Sequence, residues 1–271
     1  MLAQDLQSLP SLADLPHLGA YNAEALEFQA GLKAYIPQRL EAIVQDAVAA
    51  HGARPFLTTA LPNGVSATLT FADVERHSAN LARYFREVLK LSPGTVVAVQ
   101  SPNCISYVVC LLGVLRAGLV LSNVNPLYTE SETRRQLRDC KAEVLIGSVL
   151  FADTIDVAAT GTDVRQIISI SLTDFFRGVK RRGLDFLLRN VKRLERSLKA
   201  PHVTLRQAVS EGAKLANPVA GYTENLPANR DSIYQYSGGT TGTSKGVRLT
   251  EAGLVTNIDQ FVSLAPSLAT L

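Results

Sequence analysis

Apolar and polar positions alternate along this chain with two periods, and the switches between them outline its elements. From Leu40 the apolar residues Leu40, Ile43, Val44, Ala47 and Val48 recur at helical spacing, and His51-Gly52 closes the run. Phe56–Thr59 and 67–69 read as two short strands around Pro62-Asn63-Gly64, a strong hairpin turn. Thr70 with Asp73 predicts a helix N-cap, and Val74, Ser78, Leu81, Phe85 and Val88 predict one face of the helix that follows. A turn at Ser92-Pro93-Gly94 precedes a buried strand over 95–100. A helix then runs from Asn103 to Ala117, closed by Gly118 at its C′ position. Strands follow at 119–124, 143–147 and 166–171. Thr129-Glu130-Ser131-Glu132 is a capping box that opens a helix to about Arg138. Strands separated by helices of this length predict βαβ units, an α/β fold and a largely parallel sheet, whose ligands bind at the carboxyl ends of the strands. Residues 1–35 show poor periodicity and predict an irregular or packed N-terminal extension.

Residues 172–199 differ in character. From Arg177 to Lys199 nine Lys/Arg stand against two acids, a net +7 that leaves the rest of the chain at −4. Leu184, Leu187, Leu188, Val191, Leu194 and Leu198 form an apolar stripe at helical spacing. Two readings stand. The stretch is an ordinary surface helix with its stripe on the core, or it is a basic amphipathic helix in peripheral contact with a membrane through 177–199.

Composition narrows the class. The chain has 271 residues, 46% hydrophobic and 19% charged, enough for a sizeable core and too apolar for wholesale disorder. A net charge of +3 does not suggest a nucleic-acid binder. Cys104, Cys110 and Cys140 form an odd set without a C-x-x-C pair, so reduced, mostly buried thiols are expected rather than disulfides or zinc ligands. Residues 1–20 carry no Lys or Arg and no apolar block, so no signal peptide is expected there, and the run 104–115 is too short to span a bilayer. A cytoplasmic protein is expected.

The candidate chemistry lies in Tyr236-Ser237-Gly238-Gly239-Thr240-Thr241-Gly242-Thr243-Ser244-Lys245-Gly246. Its glycines let backbone N–H groups approach a ligand, its hydroxyls can donate to phosphate oxygens, and Lys245 can neutralise them. The bland alternative is a surface turn. An apolar flank, Ile233–Tyr236, predicts a strand entering the loop, and Val247 and Leu249 predict one leaving it. A Walker A loop is rejected, because Lys245 does not follow a glycine and Gly246 stands where Ser or Thr is needed. Gly242–Gly246 spells G-x-S-x-G, but His17, His51, His77 and His202 all precede Ser244, so a hydrolase triad in the required order is impossible within the chain.

The stretch closely resembles the signature loop of acyl-adenylate-forming enzymes, and its Gly238–Gly242 core is most similar to that of long-chain fatty acyl-CoA synthetases. Ser101-Pro102-Asn103, Gly113–Gly118 and Asn123-Val124-Asn125-Pro126-Leu127-Tyr128-Thr129 resemble the same family in order and spacing. These read as family markers whose Asn and Pro also suit a strand-to-helix turn. The resemblance implies residues 36–271 as the N-terminal half of an adenylate-forming (AMP-binding) domain with its C-terminal subdomains absent. It implies fatty acid and coenzyme A as substrates and ATP with magnesium (Mg2+) as cofactors. The fatty carboxylate attacks the α-phosphorus of ATP, pyrophosphate leaves, and the CoA thiol then displaces AMP. It further implies that residues 236–246 bind the nucleotide, with Thr241 and Lys245 carrying the catalytic roles; no residue is assigned to metal.

Two departures from the family pattern are visible. Leu249-Thr250 is followed by Glu251 where the family commonly has His, and a glutamate facing the nucleotide would repel it. The family's later motifs are also missing. The isolated chain is therefore expected to be nearly inactive, completed by a C-terminal half or by a homo-oligomer. Alternatives remain: a nucleotide- or lipid-binding or partner protein without catalysis, or a ligase for another carboxylic acid.

Overall fold

The computed structural model describes residues 39–61, 64–191, 194–237 and 244–264. The expected extension over 1–35 and the turn residues Pro62 and Asn63 lie outside them. Helix α1 (Leu40–His51) leads into an antiparallel hairpin of β1 (Pro55–Ala60) and β2 (Ser66–Thr70). Thr70 then caps α2 (Phe71–Arg83): its hydroxyl accepts from the Asp73 N–H, and the Asp73 carboxylate accepts from the Thr70 N–H.

The predicted face of α2 holds through Val74, Ser78, Leu81 and Phe85, all buried, and fails at Val88, which is 46% exposed. The cause is a π-helical turn over Tyr84–Val88, in which the Leu89 N–H donates to the Tyr84 carbonyl at 3.0 Å. Five residues per hydrogen-bonded loop turn the chain less per residue than an α-helix, so Val88 rotates out of the stripe.

Strand β3 (Val96–Gln100) leads through α3 (Ile105–Arg116) to β4 (Val120–Val124), with Gly118 at φ 73° ending α3. The chain then returns through α4 (Glu130–Asp139) to β5 (Val144–Ser148), on the other side of β3. It continues through α5 (Ala152–Ala158) to β6 (Gln166–Ile170), and through α6 (Gly178–Phe186) to the two-residue β7 (Val203–Thr204). Helix α7 (Leu205–Gly212) leads to β8 (Asp231–Ser237), β9 (Lys245–Thr250) and α8 (Glu251–Leu264). The sheet order is β7-β6-β5-β3-β4-β8-β9, parallel throughout except that β9 runs antiparallel to β8. The expected α/β class and largely parallel sheet are thus observed. Elements α5, β7, α7 and α8 are additional to those expected.

Crossovers leaving in opposite directions place their helices on opposite faces. Val97 and Val99 of β3 pack with Cys110 and Val114 of α3 and with α2 and α7. Val96 and Ala98 pack with Leu137 of α4 and Ile155 of α5. Strands β3 and β5 are buried along their whole length, as strands covered on both faces are. All three cysteines are free. Cys110 and Cys140 are buried, and burial pushes both thiols up; Cys104 is half-buried.

The segment 172–199 is not one amphipathic helix. Helix α6 continues as a π-helical turn through Val191, and residues 194–198 are irregular. Leu184, Leu188 and Leu198 of the expected stripe are buried, whereas Val191 and Leu194 are exposed. The stripe divides at the π-helical turn over Leu187–Val191, where spacing counted along an α-helix no longer maps onto one face. Among the described residues no helix is long and apolar enough to cross a membrane.

Candidate functional site

Strand β8 pairs parallel with β4, matching Leu121 to Ile233 and Asn123 to Gln235, and carries its carboxyl end to the same edge as those of β3 and β4. The hairpin to β9 opens there. Its last pairs are Tyr236 with Gly246 and Ser237 with Lys245. The strand–loop–strand setting expected from the sequence is observed. Of the eleven candidate loop residues, Gly238, Gly239, Thr240, Thr241, Gly242 and Thr243 lie outside the described residues. Tyr236, Ser237, Ser244, Lys245 and Gly246 form the described mouth.

At that mouth the Ser244 hydroxyl donates to the Ser237 carbonyl at 2.9 Å, tying the two strand ends together. Lys245 is exposed, so its ammonium faces solvent at the loop's end. Gly246 has a specific reason to be glycine: a Cβ there would sit 3.0 Å from the Tyr236 ring. The Tyr236 hydroxyl donates to the Asp139 carboxylate at the end of α4. Burial, and then this acceptor, push the phenol above its ordinary range, so it stays protonated as a donor.

Beside the hairpin, a cleft of ≈540 Å³ opens at the carboxyl ends of β3, β4 and β8. Its walls combine the neutral amides, phenols and hydroxyls of Ser101, Asn103, Tyr107, Asn123, Tyr128, Gln136, Gln235 and Tyr236 with the apolar Val99, Val124 and Pro126. Asn123 lies at the centre of this network. Its side-chain oxygen accepts from the Tyr107 hydroxyl at 3.0 Å, and its amide donates to Gln235 Oε1 at 3.0 Å. Gln136 donates to the Asn123 carbonyl at 2.7 Å and to Ser122 Oγ at 3.1 Å. Asn125 serves the turn, its side-chain oxygen accepting from the Leu127 N–H at 2.9 Å. So the turn-chemistry reading of this stretch describes Asn125, while Asn123, Gln136 and Gln235 build a cleft wall that single positions in the sequence do not announce. A smaller hollow of ≈90 Å³, lined by Glu132 and Arg135 among others, shares Tyr128, Gln136 and Tyr236 with this cleft and has Ser244 of the hairpin mouth in its wall.

Glu251 corrects one expectation. It does not face the loop. At the start of α8 it is 3% exposed, ion-paired to Arg39 at 3.0 Å and Arg230 at 3.1 Å, and it accepts the Leu40 N–H at 3.2 Å. Two guanidiniums hold its charge inside the fold, so it offers no repulsion to an anion at the hairpin.

A separate cavity of ≈220 Å³ lies between α2, α7 and the loop after β6, lined by Leu69, His77, Asp174, Phe175, Arg177 and Arg206 among others. Burial, then the charges of Arg76, Arg177 and Arg206 against an opposing Asp73, bring His77 down to about 4. Burial carries Asp174 up to about 7, although the Ser171 N–H and the Ser106 hydroxyl both donate to its carboxylate and Arg206 lies near; Glu195 adds to the rise.

Comparison with known proteins agrees with this architecture. A family model described as AMP-binding enzyme matches residues 44–269. A long-chain-fatty-acid–CoA ligase of Haemophilus influenzae is 37% identical over 194 residues, covering 71% of this chain and 34% of the relative. One of Salmonella typhimurium is 31% identical over 226 residues, covering 83% and 39%. The chain therefore spans little more than a third of these relatives' length. Among solved structures, the adenylation–carrier didomain of a carboxylic acid reductase from Segniliparus rugosus in complex with AMP superposes with a TM-score of 0.64 at 18% identity, over 97% of this chain and 38% of that one. A long-chain-fatty-acid-CoA ligase from Archaeoglobus fulgidus does so at 0.63 and 19% identity, over 84% and 40%. At these identities the superpositions establish the fold alone.

Proposed function

The chain belongs to the AMP-binding, adenylate-forming enzyme family, and from that premise we propose that it is the N-terminal part of a long-chain fatty acid–CoA ligase. Family membership implies use of ATP. Residues 36–271 are the first portion of the adenylation domain in this reading, and residues 1–35 extend it. The finer substrate assignment is supported by the names of the sequence relatives above and by the markers Asn123–Thr129. The observation that carries the proposal is the β8–β9 hairpin, which brings Ser237, Ser244 and Lys245 to one mouth at the carboxyl edge of the sheet.

In the proposed reaction the fatty carboxylate attacks the α-phosphorus of ATP and the bond to pyrophosphate breaks. The thiol of CoA then attacks the acyl carbonyl and AMP departs. The transition state of the first step spreads negative charge over phosphate oxygens, so catalysis depends on placed donors and cations. Lys245 supplies a cation for the departing pyrophosphate. Thr240 and Thr241 supply hydroxyl donors, and Gly238, Gly239 and Gly242 allow close approach of backbone N–H groups. Mg2+ accompanies the nucleotide and screens its phosphates. Tyr236, held by Asp139, props the hairpin against α4.

Equilibrium binding of ATP tests the site. Loss of a hydrogen bond to a charged group costs about 1.5–3 kcal/mol, so Lys245→Ala should weaken ATP binding by roughly ten- to 150-fold. Unchanged affinity would remove Lys245 from the site. Exchange of labelled pyrophosphate into ATP tests the substrate: stimulation by a long-chain fatty acid supports the assignment, and preference for an aryl acid transfers it.

A further inference from the structure

The basic stretch 177–199 takes no part in the site above, and its exposed side chains are not the ones its spacing suggests. Helix α6 is anchored by Leu184, which is buried, and Leu188 follows it inward. At 3.6 residues per turn, Val179, Gly183 and Phe186 fall within one narrow stripe roughly opposite Leu184. Val179 is 85% exposed and Phe186 63% exposed. Beyond the half-buried Leu187 and the buried Leu188, Val191 and Leu194 are exposed at 59% and 55%. On an ordinary surface helix the side away from the core is polar; here it is apolar, and its flanks are cationic. Arg177, Lys180 and Arg182 are all exposed. The acid within the helix, Asp185, is half-buried, ion-paired with Arg181 at 3.4 Å, and accepts from the Thr173 hydroxyl.

We propose that the outward face of α6, formed by Val179 and Phe186, docks on an anionic lipid surface. The charge complementarity is direct, since the segment carries +7 in a chain whose remainder is −4. The two apolar side chains stand on the convex back of a helix, about 10 Å apart at 1.5 Å per residue. Such a ridge enters a fluid boundary readily, whereas a protein partner would have to supply a matching groove lined with acids. The long stems of Lys180 and Arg182 can lie along the apolar boundary with their charges at the headgroups. Topology permits the contact: α6 connects β6 to β7, at the sheet edge opposite the β8–β9 hairpin.

Vesicle co-sedimentation of the whole chain tests this, with phosphatidylcholine alone and with added phosphatidylglycerol. Binding should require the anionic lipid and weaken with salt. Val179→Ser with Phe186→Ser removes the two apolar groups that the lipid would bury and should weaken binding by at least about tenfold. Lys180→Glu with Arg182→Glu should abolish the preference for anionic vesicles. Val157→Ser, an exposed apolar position on α5, should leave binding unchanged, and urea midpoints check that every variant folds. The proposal is overturned if the chain ignores anionic vesicles, binds neutral ones equally, or binds regardless of both paired substitutions. It is equally overturned if the Val179/Phe186 variant instead dissolves a self-associated species that never binds lipid, which would assign the face to protein contact.

Discussion

His77 and Asp174 wall the same cavity, and their proton equilibria shift in opposite directions. Asp174 ordinarily titrates near 3.8 and stands at about 7 in the fold. Between these values the folded state keeps a proton the unfolded state has lost, so this group makes stability fall as pH rises. His77 ordinarily titrates near 6.5 and stands at about 4. In that interval the unfolded state holds the extra proton, so this group makes stability rise with pH. The two slopes oppose each other from about pH 4 to 6.5. Asp174→Asn keeps an acceptor for the Ser171 N–H and removes one titration. Relative to the parent, its urea midpoint should climb from about pH 4 to 7, whereas that of His77→Gln should decline from about pH 4 to 6.5. Curves parallel to the parent would mean that neither shift exists. The sequence shows both residues as single polar letters. What couples them is the packing of α2 against the loop after β6, which no local pattern encodes. Glu251 is the same kind of case, since its partner Arg39 lies 212 positions away.

At the scale of elements, the π-helical turn after α2 separates two positions that share a face by α-helical counting. Phe85 is fully buried and Val88 is not. Phe85→Ala should cost about 3–5 kcal/mol, and Val88→Ser no more than about 0.5 kcal/mol, by equilibrium urea unfolding. Comparable losses at both would restore a continuous α-helical face. Most other elements were legible because each carries its own local signal: capping boxes at Thr70 and Thr129, Gly118 after α3, and runs buried on both faces for β3 and β5. Helix α5 has seven residues, too few to establish a period, and β7 has two. Helix α7 is different, because Thr204-Leu205-Arg206-Gln207 is a capping box as plain as the others. At the site, the strand entering the glycine-rich loop and the strand leaving it followed from their apolar flanks. The cleft wall did not, because Asn123, Gln136 and Gln235 converge from three separate elements.

The described fold is closed by two buried charge clusters that hold the same helix. Glu41 of α1 pairs with Arg116 of α3 at 2.6 Å, and Arg116 also reaches Glu75 of α2 at 2.9 Å. One residue before α1, Arg39 pairs with Glu251 of α8, and the same carboxylate accepts the first N–H of the helix. Helix α1 has little else to secure it, because Glu41 is its one buried residue and its apolar side chains are only partly covered. A charge left buried without its partner costs about 3–5 kcal/mol, and Glu75, in contact with solvent, recovers part of that, so Arg116→Met should cost about 3 kcal/mol. Glu251→Gln should also destabilise, because it leaves Arg39 and Arg230 without a counter-charge. If α1 leaves the fold as a unit once either cluster fails, the second substitution has less left to disrupt. The double variant should then lose less than the two single losses added together. Urea unfolding of the four proteins measures the difference. Strict additivity would show that the clusters act on independent parts of the fold, and that the start of the described chain and its last helix are not joined through α1.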